Sequence, residues 1–278
     1  MTTVLITGGT EGLGKATAVL LAEEGFRVVA TGRNAERRAK LEELAREKKL
    51  PLTTVEMDVR EEASVERALD EMRTNAGPID VLINNAGVGY YAVMEEITMP
   101  DLRQQFETNF FAVVRLTQRV LPEMRERKRG RIVNVSSIAG KYSFPMFGPY
   151  SASKFALEAV SDALRMEVRP FGIDVVLIEP GYIPTGFQST AHELASEYAK
   201  NAERSPYAKL YKSFGIHRAG SVKYTAMDCA RVILRAVRAE RPRARYTVTR
   251  QAAVLSFAKR FLTDAFLDRR IGKRMAWE

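Results

Sequence analysis

Cysteine and histidine are scarce in this chain of 278 residues, which contains one cysteine and two histidines. A single cysteine, Cys229, excludes an internal disulfide bond and a metal site made of clustered cysteines. His192 and His217 do not have the spacing to further ligands that a metal site needs. We therefore expect no metal site. We interpret Cys229 as a small buried residue on a helix around residues 226–237.

Long apolar runs are also missing, because no stretch of about 18 consecutive apolar residues occurs. The first apolar segment begins at residue 4 with no basic stretch before it. We therefore expect neither a membrane-spanning helix nor a secretory signal, and a cytoplasmic location is the default. Hydrophobic residues make up 46% of the chain and charged residues 28%. No linker or repeat divides it, so we predict one domain over residues 1–278.

Positive charge is in excess, and most of the net charge of +9 lies near the end of the chain. Residues 240–278 hold ten Lys/Arg and four Asp/Glu, a net charge of +6. Such a run is typical of a solvated helix face, and it also suits an anionic membrane surface or an acidic partner. We predict a C-terminal helical extension over residues 250–278 that caps a pocket, pairs subunits or touches a membrane surface. Net charge alone does not indicate binding to nucleic acid.

Strand and helix patterns alternate along the chain. Short apolar segments rich in β-branched residues predict strands at 4–7, 27–30, 52–57, 81–83, 131–135, 174–178 and 245–249. Amphipathic segments predict helices at 15–24, 34–48, 64–75, 101–127 and 150–169. This order predicts an α/β fold with a doubly wound parallel sheet of about seven strands and helices on both faces. Ligands of such sheets bind beyond the carboxyl ends of the strands.

A glycine-rich segment, TGGTEGLG, follows the first predicted strand and opens the first helix at residues 7–14. Glycines allow the chain to turn tightly and to approach a pyrophosphate closely. The start of a helix adds free N–H groups and a partial positive charge. The segment predicts a dinucleotide site, with contacts from Gly8, Thr10, Gly12, Leu13 and Gly14.

The end of the second predicted strand distinguishes the two nicotinamide cofactors. Sites that select NAD usually carry an acidic residue here, which binds the ribose hydroxyls. This chain instead has Arg33, which can pair with a 2′-phosphate, and Arg37 or Arg38 can assist it. We therefore favour NADP over NAD.

A candidate acid/base pair is formed by Tyr150 and Lys154, which lie four residues apart on a predicted helix. Side chains at this spacing share a helix face. A nearby ammonium is expected to lower the pKa of the phenol from about 10 towards neutrality. Ser137, thirteen residues upstream, would donate a hydrogen bond where negative charge develops on a substrate oxygen.

Together these segments resemble the short-chain dehydrogenase/reductase family in its one-domain form, over about residues 1–190. The glycine segment fits the pattern Thr-Gly-x-x-x-Gly-x-Gly, and Tyr150 and Lys154 fit the Tyr-x-x-x-Lys core, whose spacing selects Ser137 over Ser136. The other matching positions are Asp58-Val59, Asn84-Asn85-Ala86-Gly87, Asn109 and the segment Pro180-Gly181-Tyr182-Ile183-Pro184-Thr185.

The resemblance implies an NAD(P)-dependent oxidoreductase that transfers a hydride between the nicotinamide and a carbonyl or alcohol carbon. It implies that Tyr150 is the acid/base and that Lys154 lowers its pKa and binds the ribose. It further implies that Ser137 orients the substrate oxygen and that Asn109 holds a water of a proton relay. The implied cofactor contacts are the glycine segment, Arg33, Asp58, Val59, Asn85, Ala86, Gly87, Tyr150, Lys154, Pro180, Gly181, Ile183 and Thr185. A homodimer or homotetramer that pairs through the helices at 101–127 and 150–169 is also implied.

Aromatic and methionine side chains cluster in the segments that would surround the catalytic residues. They predict an apolar, adaptable substrate pocket formed by Tyr90, Tyr91, Met94, Phe144, Met146, Phe147, Tyr182 and Phe187. Residues 182–220 are predicted to be a substrate-binding segment that acts as a lid. The substrate is expected to be a lipophilic alcohol or carbonyl compound of steroid, retinoid or aliphatic type. In layout the chain resembles the hydroxysteroid and retinol dehydrogenase branches of the family.

Two alternatives remain open at this point. The first is a 3-oxoacyl-(carrier protein) reductase that docks an acidic carrier on the basic cluster Arg125, Arg127, Lys128, Arg129 and Arg131. The second is a binding protein that senses NADP without turnover. A screen for NADPH oxidation with ketones, steroids, retinal and acyl thioesters separates these possibilities.

Overall fold

The fold is built on one parallel sheet. In the computed structural model, residues 1–183, 187, 198, 200, 202–216, 224–249, 254 and 262–274 are described. Their strands are β1 Thr3–Ile6, β2 Arg27–Gly32, β3 Leu52–Glu56, β4 Val81–Asn84, β5 Gly130–Val135, β6 Ile173–Glu179 and β7 Arg245–Thr247. The sheet order is β3-β2-β1-β4-β5-β6-β7, with every neighbouring pair parallel. The predicted doubly wound parallel sheet is confirmed.

Helices connect the strands and cover both faces of the sheet. They are α1 Gly12–Glu23, α2 Ala35–Glu47, α3 Glu62–Ala76, α4 Met99–Phe106, α5 Ala112–Glu126, α6 Gly148–Val168, α7 Ala208–Ile216, α8 Ala226–Arg238 and α9 Asp264–Arg274. Within the predicted extension at 250–278, α9 is helical, and most of the remainder lies outside the described residues. In the described part of the chain, no helix is long and apolar enough to cross a bilayer.

Two hydrophobic cores lie on opposite faces of the sheet because successive strand residues point to opposite sides. Val4 and Ile6 of β1 pack into the core under α1 and α8, whereas Leu5 packs into the core under α3 and α5. Cys229 is buried on α8 in the first core, as predicted. Each fully buried aliphatic side chain contributes about 1.5–3 kcal/mol, so these cores hold the strand ends in fixed positions.

The predicted helix at 101–127 is present, and it contains a turn that the sequence did not predict. Residues Glu107–Phe111 form a π-helical turn between α4 and α5. A π turn adds one residue to the helix and is frequent at functional sites. Hydrophobic periodicity does not reveal it because the apolar face continues on either side. The last strand is shorter than the predicted range 245–249, since β7 ends at Thr247.

Candidate active site

The loop after β1 has the conformation that its glycines predict. Gly8 and Gly12 adopt φ of +60° and +51°, a region that disfavours other residues. A Cβ on Gly14 would lie 2.0 Å from the Gly8 carbonyl oxygen, so only glycine fits there. Glu11, at the N-cap of α1, makes no side-chain capping bond. The first N–H groups of α1 therefore lack a side-chain partner, and this arrangement fits a bound pyrophosphate.

The turn after β4 is bonded directly to this loop. Thr7 Oγ1 accepts hydrogen bonds from the backbone N–H groups of Asn85 and Ala86, each at 3.0 Å. The Asn85 amide donates to the carbonyl oxygens of Thr7 and Gly8 at 2.9 and 3.1 Å. Because β1 and β4 are neighbours where the strand order reverses, these bonds build the crevice in which such sheets bind ligands.

At the ends of β2 and β3, three charged residues meet. Asp58 accepts from Arg60 at 2.6 Å, and Arg33 Nη1 lies 3.4 Å from the same carboxylate oxygen. The Arg60 hydrogen bond and charge lower the pKa of Asp58 to about 2. The Arg33 side chain is 61% exposed, so it is accessible from solvent at the position predicted to contact a 2′-phosphate.

The two arginines expected to assist Arg33 are engaged elsewhere. Arg37 forms an ion pair with Glu11 of the glycine loop. Arg38 donates to the carbonyl oxygens of Gly32 and Arg33 and to Glu56. Arg38 therefore stabilises the end of β2.

The candidate acid/base residues lie together at the carboxyl end of β5. Ser137 accepts a hydrogen bond from Ala139 N–H at 3.1 Å, and its side chain is close enough to the Tyr150 hydroxyl to lower the pKa of the phenol. The Oγ of Ser136 is buried without a hydrogen-bond partner among the described residues. Of the two serines, Ser137 is the one whose side chain lies beside Tyr150.

Tyr150 and Lys154 share a face of α6, but the expected effect of the lysine on the phenol is wrong for this structure. Burial raises the pKa of Tyr150 to about 12, and the hydrogen bond from Ser137 opposes this only in part. Lys154 Nζ donates to the carbonyl oxygen of Val135 at 2.9 Å and lies 5.8 Å from the tyrosine ring centroid. Burial also lowers the pKa of Lys154 to about 8. The phenol is therefore protonated at neutral pH.

Asn109 lies in the π turn, where its side-chain amide is already occupied. Its Oδ1 accepts from Val88 N–H at 2.9 Å, and its Nδ2 donates to the Val88 carbonyl at 2.9 Å and to Ser153 Oγ at 3.1 Å. Gln105, one helical turn earlier, donates to the same Val88 carbonyl and accepts from Tyr90 N–H. The two amides thus hold the segment after β4 against α6.

Sequence reasoning missed Gln105 and Ser153. An amide pair at i and i+4 was the signal for Gln105, because such residues face the same way along a helix. Ser153 lies inside the Tyr-x-x-x-Lys core, where its Oγ accepts from Asn109 and donates to the Tyr150 carbonyl at 2.7 Å.

Aromatic rings pack around Tyr150. Tyr91 meets Tyr150 edge-on at 5.8 Å between centroids, and Phe147 lies 4.5 Å from Tyr91. Phe187 stands 5.7 Å from Tyr150. We name Tyr91, Phe147 and Phe187 the aromatic wall.

The remaining predicted pocket residues occupy different depths. Tyr90 and Met146 are buried, whereas Phe144, Met94 and Tyr182 are 37%, 57% and 49% exposed. Met146 has a positive φ of 69° and accepts a backbone hydrogen bond from Ala92. The exposed members therefore lie towards solvent.

The remaining predicted cofactor residues lie near the same edge of the sheet. Ile183 is buried, and the Pro180 carbonyl accepts from Ile138 N–H at 2.9 Å, which ties the turn after β6 to the serine loop. A Cβ on Gly181 would lie 2.4 Å from Thr249 Oγ1. The Val59 carbonyl accepts from Arg115 at 2.9 Å, and a Cβ on Gly87 would lie 3.3 Å from Asn109 Oδ1. Thr185, His192 and His217 lie outside the described residues.

Within the predicted lid at 182–220, hydroxyl groups bond to carboxylates beside the pocket. Tyr211 donates to Glu96 at 2.6 Å, and Ser205 donates to the other oxygen of Glu96. Tyr207 donates to Glu95 and Tyr198 to Asp101. An apolar cluster of Val93, Met146, Leu210 and Tyr211 packs beneath these bonds. These contacts dock α7 on the segment between β4 and α4.

Comparison with known proteins agrees with this geometry. Residues 2–195 match the family described as short chain dehydrogenase. An NADPH-dependent 3-dehydrocapnine reductase of Ornithobacterium rhinotracheale is 34% identical over 273 residues, 95% of this chain and 94% of the relative. A 3-ketodihydrosphingosine reductase of Bacteroides thetaiotaomicron is 43% identical over 185 residues, 66% of this chain and 65% of the relative.

A solved structure agrees over nearly the whole fold. A short chain dehydrogenase/reductase from Burkholderia phymatum in complex with NAD superimposes with a TM-score of 0.80, at 25% identity, and 92% of each chain is covered. Its NAD and the NADPH dependence of the first relative leave the cofactor preference open. The chain belongs to the short-chain dehydrogenase/reductase family and is an NAD(P)-dependent oxidoreductase.

Proposed function

We propose that this protein is an NADP-dependent reductase that converts a ketone on a lipophilic substrate to the alcohol. The observation that carries the proposal is a buried Tyr150 that lies beside Ser137 and packs against the aromatic wall. A carbonyl oxygen placed between the two hydroxyl groups would receive a hydrogen bond from Ser137 and a proton from Tyr150. When bound, the nicotinamide cofactor supplies the hydride.

The protonated state of Tyr150 is the one that reduction requires. A phenol whose pKa is about 12 is protonated at pH 7 and can donate to a developing alkoxide. Oxidation would need the phenolate, which burial disfavours. Lys154 is positioned to bind the ribose, and its charge would assist the proton donor in the complete site.

Residues around the crevice fit the parts of NADP. The free N–H groups at the start of α1 would hold the pyrophosphate, and Asn85, Ala86 and Gly87 would line the crevice beside it. Arg33 would pair with the 2′-phosphate, because it is exposed and because Arg60 already forms the shorter contact with Asp58. No carboxylate stands at the end of β2, where NAD-selective sites carry one.

The role of Asn109 in a proton relay depends on its backbone. Its side-chain amide is bonded to Val88 and Ser153. A water between Asn109 and Lys154 would therefore be held by a backbone carbonyl of the π turn, where helical hydrogen bonding is interrupted. Asn109 itself then acts by shaping this turn.

A lipophilic substrate is supported by the rings and the lid beside Tyr150. Rings of the aromatic wall offer apolar surface to a substrate carbon chain. The lid is attached to the rim by hydroxyl–carboxylate bonds, which can break and reform as substrate enters. Among relatives, the names 3-ketodihydrosphingosine reductase and 3-dehydrocapnine reductase describe the reduction of an oxidised position 3. We therefore place long-chain 3-ketones first among candidate substrates, ahead of steroids and retinoids.

The carrier-protein alternative loses support from the position of its basic cluster. Residues 125–131 surround the start of β5, whereas the candidate active site lies at its end. Arg127 bonds to Asp80, and Arg131 bonds to Asp174 and to two carbonyl oxygens of α8. A carrier docked here would sit about 20 Å from Tyr150, since each strand residue adds about 3.3 Å.

Assembly and location remain proposals. Phe111 on the π turn and Phe155 and Met166 on α6 are exposed, which suits the homodimer or homotetramer expected from the family. A cytoplasmic location and contact of the basic tail with a membrane surface stay predictions.

A substrate screen tests the proposal. NADPH and NADH oxidation would be followed side by side with 3-ketodihydrosphingosine, a steroid ketone, retinal, an aliphatic ketone and an acyl thioester. We expect turnover of the long-chain 3-ketone with NADPH. Turnover of the thioester alone would favour the carrier-protein alternative, and binding of NADPH without turnover of any substrate would favour the sensing protein.

A further inference from the structure

A buried cluster of charges lies directly behind the candidate active site. Glu158 on α6 and Glu179 at the end of β6 have side chains that are only 7% and 2% exposed. Lys141 Nζ lies 2.9 Å from Glu158 and 3.3 Å from Glu179. Arg245 Nε lies 3.1 and 3.2 Å from the same two carboxylates. We name these four residues the charge cluster.

Each member of the charge cluster comes from a different element of the site. Lys141 follows the serine loop, and Glu158 lies one helical turn beyond Lys154. Glu179 immediately precedes the Pro180-Gly181 turn, and Arg245 begins the edge strand β7. The cluster therefore connects the three segments that carry the serine, the lysine and the turn after β6. Buried ion pairs contribute little net stability. We therefore interpret the cluster as a means of fixing the relative positions of these three segments.

We propose that Glu158, held by Lys141 and Arg245, is a positioning residue that acts through Lys154 by keeping the charged form of this lysine in the active site. The inference rests on the proposed function, in which Lys154 works with Tyr150. Within the described part of the chain, Glu158 pairs with Lys141 and Arg245 and forms no hydrogen bond with the hydroxyl groups of Ser137 and Tyr150.

The surroundings of Lys154 give Glu158 this role. Lys154 is buried, with the neutral Val135 carbonyl from β5 and the Tyr150 ring as its near neighbours. Among the described residues, Glu158 is the charged group that opposes the effect of burial on the pKa of Lys154. One oxygen of Glu158 has no hydrogen-bond partner in the described part of the chain, so this carboxylate is not fully neutralised by hydrogen bonds.

The charge balance predicts the direction in which each substitution shifts the pKa of Lys154. Facing Glu158 are Lys141 from the serine loop, Arg245 from β7 and Glu179 from β6, two cations against two anions. A second ion pair neutralises Asp162, which binds both Arg245 and Arg165. Replacing Glu158 by glutamine leaves one extra positive charge beside Lys154, which disfavours the ammonium. Replacing Lys141 by methionine leaves one extra negative charge, which favours it.

The experiment follows the Nζ signal of Lys154 by ¹⁵N NMR in lysine-labelled protein, with Lys154→Met for assignment. We expect Glu158→Gln to lower the titration midpoint of Lys154 by about half to one pH unit, and Lys141→Met to raise it. Glu179→Gln is the matched control, because it removes the same charge from the same cluster without directly facing Lys154. We expect it to shift the midpoint by less than half as much.

Several outcomes would overturn the inference. They are an unchanged midpoint in Glu158→Gln, an equal shift in Glu179→Gln, or an unchanged midpoint in Lys141→Met. Lys141 is partly exposed, so Lys141→Met still tests the inference if Glu158→Gln does not fold. The titration needs no substrate, so its failure is distinct from a failure of the proposed reductase activity. In the active enzyme, the alkaline limb of kcat/KM should move with the NMR midpoint.

Discussion

Removing the charge of Arg33 should weaken the preference for NADPH over NADH. The Arg33 side chain is 61% exposed and makes one long contact of 3.4 Å with Asp58. A hydrogen bond to a charged group contributes about 1.5–3 kcal/mol, and screening at an exposed site reduces this to about 1–2 kcal/mol. Arg33→Ala should therefore raise the Kd for NADPH about 5- to 30-fold and leave that for NADH within about twofold.

The assay is a fluorescence titration of each cofactor at fixed ionic strength, because salt screens this pair. Arg46→Ala is the matched control, since Arg46 is an exposed arginine in the last turn of α2, the helix that follows Arg33. It removes the same charge about 15–20 Å away and should leave both affinities unchanged. An unchanged ratio of affinities in Arg33→Ala, or an equal change in Arg46→Ala, would refute the assignment of the 2′-phosphate to Arg33.

Three further perturbations test other parts of the site. Gly14→Ala would place a Cβ 2.0 Å from the Gly8 carbonyl oxygen, so it should abolish measurable NADPH binding and lower the Tm. Glu96→Ala removes the acceptor of two lid hydroxyl groups, so KM for a lipophilic ketone should rise several-fold while NADPH binding stays unchanged, and an unchanged KM would contradict the docking of the lid. Reductive kcat/KM should fall as pH rises through about 8, because Lys154 loses its proton there while Tyr150 keeps its own to about 12. A pH profile that falls only near pH 12 would contradict the order of these two pKa values.

The local parts of the site could be predicted from the sequence because they depend on short spacings. The glycine loop and the pair Tyr150 and Lys154 each follow from residues within one turn or one helix. The choice of Ser137 over Ser136 follows from the spacing to Tyr150 in the family pattern. The parallel sheet could be predicted for a similar reason, because short apolar runs rich in β-branched residues alternate with amphipathic helical segments along the chain.

The protonation states could not be predicted in this way. They depend on burial and on the Val135 carbonyl, which binds Lys154 from a strand nineteen positions earlier in the chain. The charge cluster was missed for the same reason, because Arg245 and Glu158 are 87 positions apart. The π turn at Asn109 was missed because one added residue does not disturb an apolar helix face.

The central claim is that Tyr150 is the proton donor of a ketone reductase, and Tyr150→Phe tests it most directly. Turnover of an accepted ketone with NADPH should fall at least about a hundredfold, the usual size of a general-acid contribution, while NADPH binding is retained. Tyr246→Phe removes the same hydroxyl from the edge strand β7 and should keep turnover within about twofold. Near-normal turnover in Tyr150→Phe, with Tyr246→Phe equally active, would contradict the account.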